Sequence, residues 1–301
     1  MTGLLDDFSQ LVTLKSSEDL RQRPQYCPQL DPKQSELAEV LAPYHFGEPY
    51  PCGLSSCRTP HQSGYLVVTV DGKETNVGGI CGRKIFGDSF TIKANLQEKR
   101  AHLKHQLDIL KHVRDNKVTL LARIAEQLNR PTGVKWSEAT LRSFKDALGQ
   151  SVFKVLREKA RRGDNLVEVT REASQEERDR HRVANPSARP LQSVAEKVGN
   201  LTGLDLLNHD PMRILTTLKD KLYALDNIDA KTLSPRIRKE WVDWANGIEG
   251  TFEEVEDVLA NALRFYTAEN LKIMIGFGST PQEQMRLAMI QWSNSEMRLM
   301  F

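Results

Sequence analysis

Apolar and polar residues alternate along the chain in ways that predict helices near its start. Residues 4–12 place Leu, Phe and Val at helical spacing. Asp31-Pro32 is typical of a helix start, because Asp caps the first turn and Pro fits its first position. The stretch ELAEVLAPY that follows predicts a short helix ending at Pro43.

A different pattern begins at residue 46 and continues to about residue 90, with many glycines and few helix-forming residues. Residues 65–70 are mostly apolar and β-branched, and Asp71-Gly72 suits a type I′ turn. The stretch KETNVGG comes next. These features predict a β-hairpin.

Helical spacing dominates from Ile92 to about Asn129. Leu96, Leu103 and Leu110 recur every seven residues, which predicts one helix about 55 Å long. The leucines leave two alternatives open: packing against the chain's own helices, or a coiled coil that docks another chain. A second helix is predicted over 137–160, after the break made by Pro and Gly at 131–133.

The remaining residues predict a linker and a helical bundle. LVEVT at 166–170 predicts a short strand, and the polar, charged residues 171–190 predict an exposed loop. Three pairs in which a capping residue precedes proline then predict helix starts. They are Asp210-Pro211, Ser234-Pro235 and Thr280-Pro281.

Composition narrows the class of protein. Of the 301 residues, 39% are hydrophobic and 27% are charged, which is typical of a soluble globular chain. No apolar run approaches the ~20 residues of a membrane span, and the acidic N-terminus lacks the basic region of a signal peptide. Four cysteines are too few for a disulfide scaffold. We therefore expect a reducing, cytoplasmic location and no membrane partner.

Two of those cysteines and a histidine lie within ten residues, and a third cysteine follows the predicted hairpin. The spacing is Cys52-x4-Cys57-x3-His61-x19-Cys81. Because two antiparallel strands leave a point and return to it, Cys81 is expected beside the first two cysteines. Four Cys and His ligands are typical of a closed, structural Zn²⁺ site. Cys27 is an alternative fourth ligand, and buried thiols without a metal are the alternative to the site as a whole.

These residues resemble the treble-clef type of zinc module between about residues 51 and 90. The resemblance implies a knuckle, a hairpin and a ligand at the start of a helix. It also implies one structural zinc ion. The expected fold class is mainly α, with a small zinc-stabilised β-hairpin module, a long basic helix and a C-terminal helical bundle. The expected segments are an N-terminal helical segment (1–45), the hairpin module (46–90), a basic helical region (91–162), an exposed linker (163–190) and an acidic helical bundle (191–301).

Charge is concentrated in the middle of the chain. The protein has a net charge of +2, but residues 83–162 contain 19 Lys and Arg against 8 Asp and Glu, a net charge of +11. Clustered cations bind phosphate backbones by releasing counterions. The alternative is a solvated helix face that pairs with the acidic bundle. The residues predicted to contact nucleic acid are Arg83, Lys84, Lys93, Lys99, Arg100, Lys104, Lys111, Lys154, Arg157, Lys159, Arg161 and Arg162.

No catalytic constellation is visible in the sequence. His105, Asp108 and His112 share a helix face, and we interpret them as solvated side chains rather than as a second metal site. The sequence therefore predicts a zinc-containing, non-catalytic protein that binds DNA or RNA as a subunit of a larger nucleoprotein complex. The alternative function is a protein-interaction scaffold that uses the long helix.

Overall fold

The computed structural model describes residues 12–277. These residues form two compact units, of which the first contains 12–113 and 229–245 and the second contains 114–228 and 246–277. The predictions for residues 4–11 and for the helix start at Thr280-Pro281 lie outside the described residues. The division into five segments stays a prediction.

The predicted fold class is wrong. Of the described residues, 58% are helical and 18% lie in strands. The strands form two antiparallel sheets instead of one hairpin module, with the order β1-β2-β3 in one sheet and β4-β5 in the other. In chain order the elements are α1 (Ser17–Arg21), β1 (Leu37–Pro51), β2 (Pro60–Thr69), β3 (Glu74–Val77), α2 (Gly79–Asp115), α3 (Lys117–Asn129), α4 (Val134–Arg162), β4 (Leu166–Glu172), α5 (Gln175–Ala184), β5 (Ser193–Asn200), a 3₁₀ helix (Leu204–Asn208), α6 (Pro211–Asp226), α7 (Pro235–Asn246), α8 (Ile248–Phe265) and α9 (Ala268–Phe277).

Strand β1 replaces the helix predicted after Asp31-Pro32. Val40, Ala42, Tyr44 and Phe46 are buried at every second position of this strand, which is the period of a sheet with one buried face. Pro43 lies within the strand, where it is tolerated because β1 is an edge strand. The local helix-start signal was therefore overridden by packing of alternate side chains.

The predicted β-hairpin is confirmed. Strands β2 and β3 are antiparallel, with Tyr65 opposite Val77. The Thr69 carbonyl accepts a hydrogen bond from the Gly72 amide at 2.8 Å, and Gly72 has φ +80°. The predicted type I′ turn is wrong, because it requires positive φ at both central residues. Among the described non-glycine residues, Arg58 alone has a positive φ, so Asp71 does not meet this condition.

The single helix predicted over 92–129 is also wrong. Helix α2 ends at Asp115 and α3 begins at Lys117, on the other side of Asn116. Within α2, Gly87 has non-helical angles with φ +64°. Leu103 and Leu110 of the seven-residue repeat are buried, so they do not form an exposed seam. The scaffold function stays a prediction, and this burial gives it no support.

The core of the second unit is built mainly on α4 and α8. Phe144 and Leu148 precede a break in α4 at Gly149, and Leu156 follows it. All three side chains pack in one cluster with Phe265. The helix predicted over 137–160 is confirmed, except that this glycine interrupts it.

Two predicted helix starts are also confirmed. Asp210 accepts a hydrogen bond from the Arg213 amide at the start of α6. Ser234 directly precedes α7, which begins at Pro235.

Strand β4 and the short helix α5 occupy most of the predicted linker. The strand predicted at 166–170 is confirmed as part of β4, which pairs with β5. Helix α5 forms where a loop was predicted, and none of its residues is buried. Ser174 and Glu177 form a capping box that closes its first turn. Local capping therefore explains a helix that has no apolar face.

Candidate metal centre

Three turns of the backbone bring the cysteines of the first unit together. Cys52 directly follows β1, Cys57 lies in the next turn, and Cys81 lies in the first turn of α2. The Cys52 amide donates to the Thr59 carbonyl at 3.1 Å, and the Cys57 amide donates to Leu54 at 3.1 Å. The hairpin β2–β3 returns the chain to this point. The expected approach of Cys81 to the first two cysteines is thus confirmed.

The three sulfur atoms can hold one metal ion. They all lie within 4.8 Å of one another, and the sulfurs of Cys57 and Cys81 are 3.1 Å apart. A tetrahedral ion with Zn–S bonds of about 2.3 Å places its sulfur ligands about 3.8 Å apart. Cys52 is buried and the other two are half-buried, so the donor set and its spacing fit a thiolate-bound metal.

The protonation of the cysteines depends on their surroundings. Hydrogen bonds from Thr59 lower the pKa of Cys57 to about 7. Burial raises the pKa of Cys81 to about 12 and also raises that of Cys52. A bound metal cation would instead lower the pKa of Cys81 and Cys52, because cysteine binds a metal as the thiolate.

A glycine beside Cys52 makes this packing possible. A β-carbon at Gly53 would collide with the Thr75 hydroxyl and lie 2.8 Å from the side-chain oxygen of Asn76. The Gly53 amide donates to the Asn76 carbonyl at 2.8 Å. The turn that carries Cys52 therefore lies directly on β3.

His61 lies outside the group of side chains that can share the ion. Its Nε2 atom is 2.7 Å from the Tyr44 hydroxyl, and its Nδ1 atom is 3.2 Å from the Thr59 carbonyl. The Tyr44 hydroxyl accepts from the Asn76 side-chain amide at 3.1 Å, so its proton is free to donate to His61. This arrangement places the imidazole proton on Nδ1, where it donates to Thr59.

Cys27 is likewise not part of the cluster. Its amide donates to the Glu74 carbonyl at 2.7 Å, and its carbonyl accepts from the Thr75 hydroxyl at 2.7 Å. Its side chain packs against the apolar cluster of the first unit. His105, Asp108 and His112 form no second group of metal-binding geometry within residues 12–277.

The cations nearest to Cys81 in the chain are exposed. Arg83 and Lys84 follow it on α2, and no carboxylate of the described residues pairs with either. Arg58 follows Cys57 and adopts φ +58°, which is uncommon for a residue with a side chain. It is exposed, and its guanidinium donates to the Pro28 carbonyl at 2.9 Å. Sequence reasoning missed Arg58, although its position beside a candidate ligand was visible.

The other basic residues of α2 that were predicted to contact nucleic acid differ in their contacts and exposure. Lys93 donates to the Ala38 carbonyl at 2.5 Å and lies 3.4 Å from Glu39. Lys104 pairs with Asp108 at 2.7 Å. Lys99 and Lys111 are exposed and Arg100 is half-buried.

The basic residues predicted on α4 belong to the second unit. Lys159 pairs with Asp164 at 2.6 Å. Arg161 and Arg162 both lie near Glu158, at 3.7 and 3.0 Å. Lys154 and Arg157 are exposed.

Cations on α3 and on the residues that flank it support the alternative in which basic residues pair with the acidic bundle. Arg114 donates to the backbone carbonyls of Leu225 and Ile228 at 2.9 and 3.0 Å. Three further cations pair with carboxylates of α6 and α8, so they contribute to packing of the second unit. The pairs are Lys117 with Asp226, Arg123 with Glu249 and Arg130 with Glu256.

Comparisons with protein-family models, curated proteins and solved structures give no match to this chain. In the part of the chain that the structure describes, none of the helices has the length and apolar character needed to cross a membrane.

Proposed function

We propose that the chain is a zinc-containing nucleic-acid-binding protein whose binding surface surrounds the cysteine cluster. Three convergent thiols favour Zn²⁺ over Mg²⁺ or Ca²⁺, which take oxygen ligands. Cys52, Cys57 and Cys81 would hold the ion as thiolates. The ion would supply folding free energy to the turns that it joins.

The observation that carries this proposal is the position of Arg83 and Lys84. They lie on the first turns of α2, directly after Cys81, and they are exposed. An ion bound to Cys81 would fix the position of the start of this helix. It would therefore also fix the direction in which the Arg83 and Lys84 side chains extend. Arg58 adds a third cation beside Cys57. Such a cluster gains affinity for a phosphate backbone by counterion release.

Charge reversal of the two cations tests the proposal. We expect Arg83→Glu with Lys84→Glu to weaken binding of the full chain to nucleic acid. Two lost phosphate contacts should reduce the slope of log K against log salt by about 2. The measurement is fluorescence anisotropy at several salt concentrations with duplex DNA, single-stranded DNA and RNA.

A matched control separates a local effect from net charge. Arg213 and Lys219 are exposed on α6, and Arg213→Glu with Lys219→Glu changes the net charge by the same amount. This variant should keep most of the affinity. Equal losses in both variants, or no salt-dependent binding by the wild type, would refute the proposal. Membership of a larger complex stays a prediction.

A further inference from the structure

A groove of about 370 Å³ lies in the second unit. Leu141 and Phe153 line it from the two halves of α4, which are separated by the break at Gly149. Leu206 and Leu207 of the 3₁₀ helix complete its apolar floor. This volume is in the range of sites that bind small molecules.

The two carboxylates that line the groove already have partners. Glu138 lies 3.6 Å from Arg142, one helical turn away. Asp210 accepts a hydrogen bond from the Arg213 amide at 2.9 Å as the cap of α6. The Glu138 charge is therefore offset by Arg142, whereas Asp210 keeps its negative charge at the start of α6.

Two cations on the rim of the groove lack a carboxylate partner among the described residues. The Lys145 ammonium lies 5.8 Å from the centre of the Phe153 ring, and Arg157 is exposed on the next part of α4. No carboxylate between residues 12 and 277 pairs with either side chain. His209 also lines the groove, and its Nε2 atom lies 3.2 Å from Asp205.

We propose that this groove binds a small amphipathic anion. The apolar part of the ligand lies on Leu141, Phe153 and Leu207, and its anionic group lies near Lys145 and Arg157. Burial of the apolar part provides affinity, and the two cations select an anion over a neutral or cationic molecule of the same shape. The inference is independent of the proposed nucleic-acid function, which concerns the first unit.

Three probes of equal chain length test the charge preference. They are decanoate, decanol and decylammonium, each titrated into the full-length protein by calorimetry. The two ionic probes stay below their micelle concentrations and decanol stays below its solubility limit. We expect decanoate to bind about tenfold more tightly than decanol, the effect of one charge-assisted contact. Decylammonium should bind most weakly.

Charge variants then locate the site. Lys145→Glu with Arg157→Glu should remove the preference for decanoate, and Lys145→Gln with Arg157→Gln should reduce it without reversing charge. The matched control is Lys154→Glu with Lys219→Glu, which changes two exposed cations outside the groove. It should bind decanoate like the wild type, and thermal unfolding checks that each variant is folded.

Several results would overturn the inference. One is absence of decanoate binding to the wild type, and another is equal affinity for the three probes. A third is unchanged decanoate binding by the Lys145→Glu, Arg157→Glu variant. A fourth is an equal loss in the control variant, which would show a general effect of net charge.

Discussion

The half-buried His61 belongs to a network of polar side chains instead of the cysteine cluster. Tyr44 connects it to Asn76, and Asn76 in turn accepts from the Tyr26 hydroxyl at 2.7 Å. Burial raises the pKa of Tyr44, so its hydroxyl keeps the proton that it donates to His61. Both ring nitrogens of His61 therefore have a hydrogen-bond partner outside the cysteine cluster.

Removal of His61 and of Cys81 should therefore have different consequences. We expect Cys81→Ser to lose the zinc ion, because it removes one of three convergent sulfurs. His61→Ala should retain about one zinc per chain while losing a net hydrogen-bond contribution of about 1 kcal/mol. Elemental analysis and denaturant unfolding measure the two effects. Loss of zinc in both variants would instead make His61 a ligand.

The sequence predicted the sulfur cluster but not the orientation of His61. Cysteine spacing around a hairpin is enough to predict that Cys52, Cys57 and Cys81 meet, since antiparallel strands return to their starting point. The partner of His61 depends on strand register, which pairs Tyr44 with Gly64. That register depends on which face of β1 is buried, and β1 was predicted as a helix.

At the scale of elements, a capping residue before proline marked a helix start in two of the three predicted cases that the structure describes. The third, Asp31-Pro32, precedes strand β1, because packing of alternate side chains overrode the signal. Asp210 and Ser234 marked helix starts correctly, because a cap and a following proline act within one turn. The hairpin was visible because an apolar, β-branched run precedes a turn-forming Asp-Gly pair, although the predicted turn type was wrong. Breaks at Gly87 and Gly149 were not predicted, because a glycine inside a helical pattern is compatible with either an intact or a broken helix.

The contacts that stabilise helix α5 include an ion pair whose strength depends on pH. Both terminal nitrogens of Arg171 donate to the Glu177 carboxylate at 2.8 Å, and its Nε donates to Glu196 at 2.6 Å. The Arg171 guanidinium and the Ser174 amide lower the pKa of Glu177 to about 2. A lowered carboxyl pKa stabilises the folded state above its ordinary pKa of about 4.3, and this contribution is lost as the pH falls towards 2.

Replacement of Arg171 should raise the pKa of Glu177 towards its ordinary value. We expect this shift in Arg171→Ala, because the guanidinium that contributes most to lowering the pKa of Glu177 has been removed. Side-chain carbon NMR over a pH titration measures it. Arg180→Ala is the control, since Arg180 pairs with Glu176 and not with Glu177. An unchanged Glu177 pKa in Arg171→Ala would contradict the contacts described for α5.

At the scale of the whole molecule, the two units differ in what stabilises them. The second unit has a continuous apolar core that includes Phe144 and Phe265. In the first unit, Cys52, Cys57 and Cys81 lie against a smaller apolar cluster that includes Val67 and Phe90. Without a metal, the one buried and two half-buried thiols contribute only as small apolar groups, whereas structural zinc contributes on the order of 10 kcal/mol in small modules. A metal held by these cysteines would therefore stabilise the first unit more than the second.

Hydrogen exchange followed by mass spectrometry tests this difference within the intact chain. If the proposed zinc ion is bound, a chelator should increase exchange of the Cys52 and Gly53 amides, whose partners are Thr59 and Asn76, and of the first turn of α2. Amides of α8 should exchange at an unchanged rate, because α8 belongs to the other core. Cys81→Ser should reproduce the pattern without chelator. Equal acceleration in α8 would show that the metal stabilises both units together, and no change near Cys52 would show that the cysteine turns fold without it.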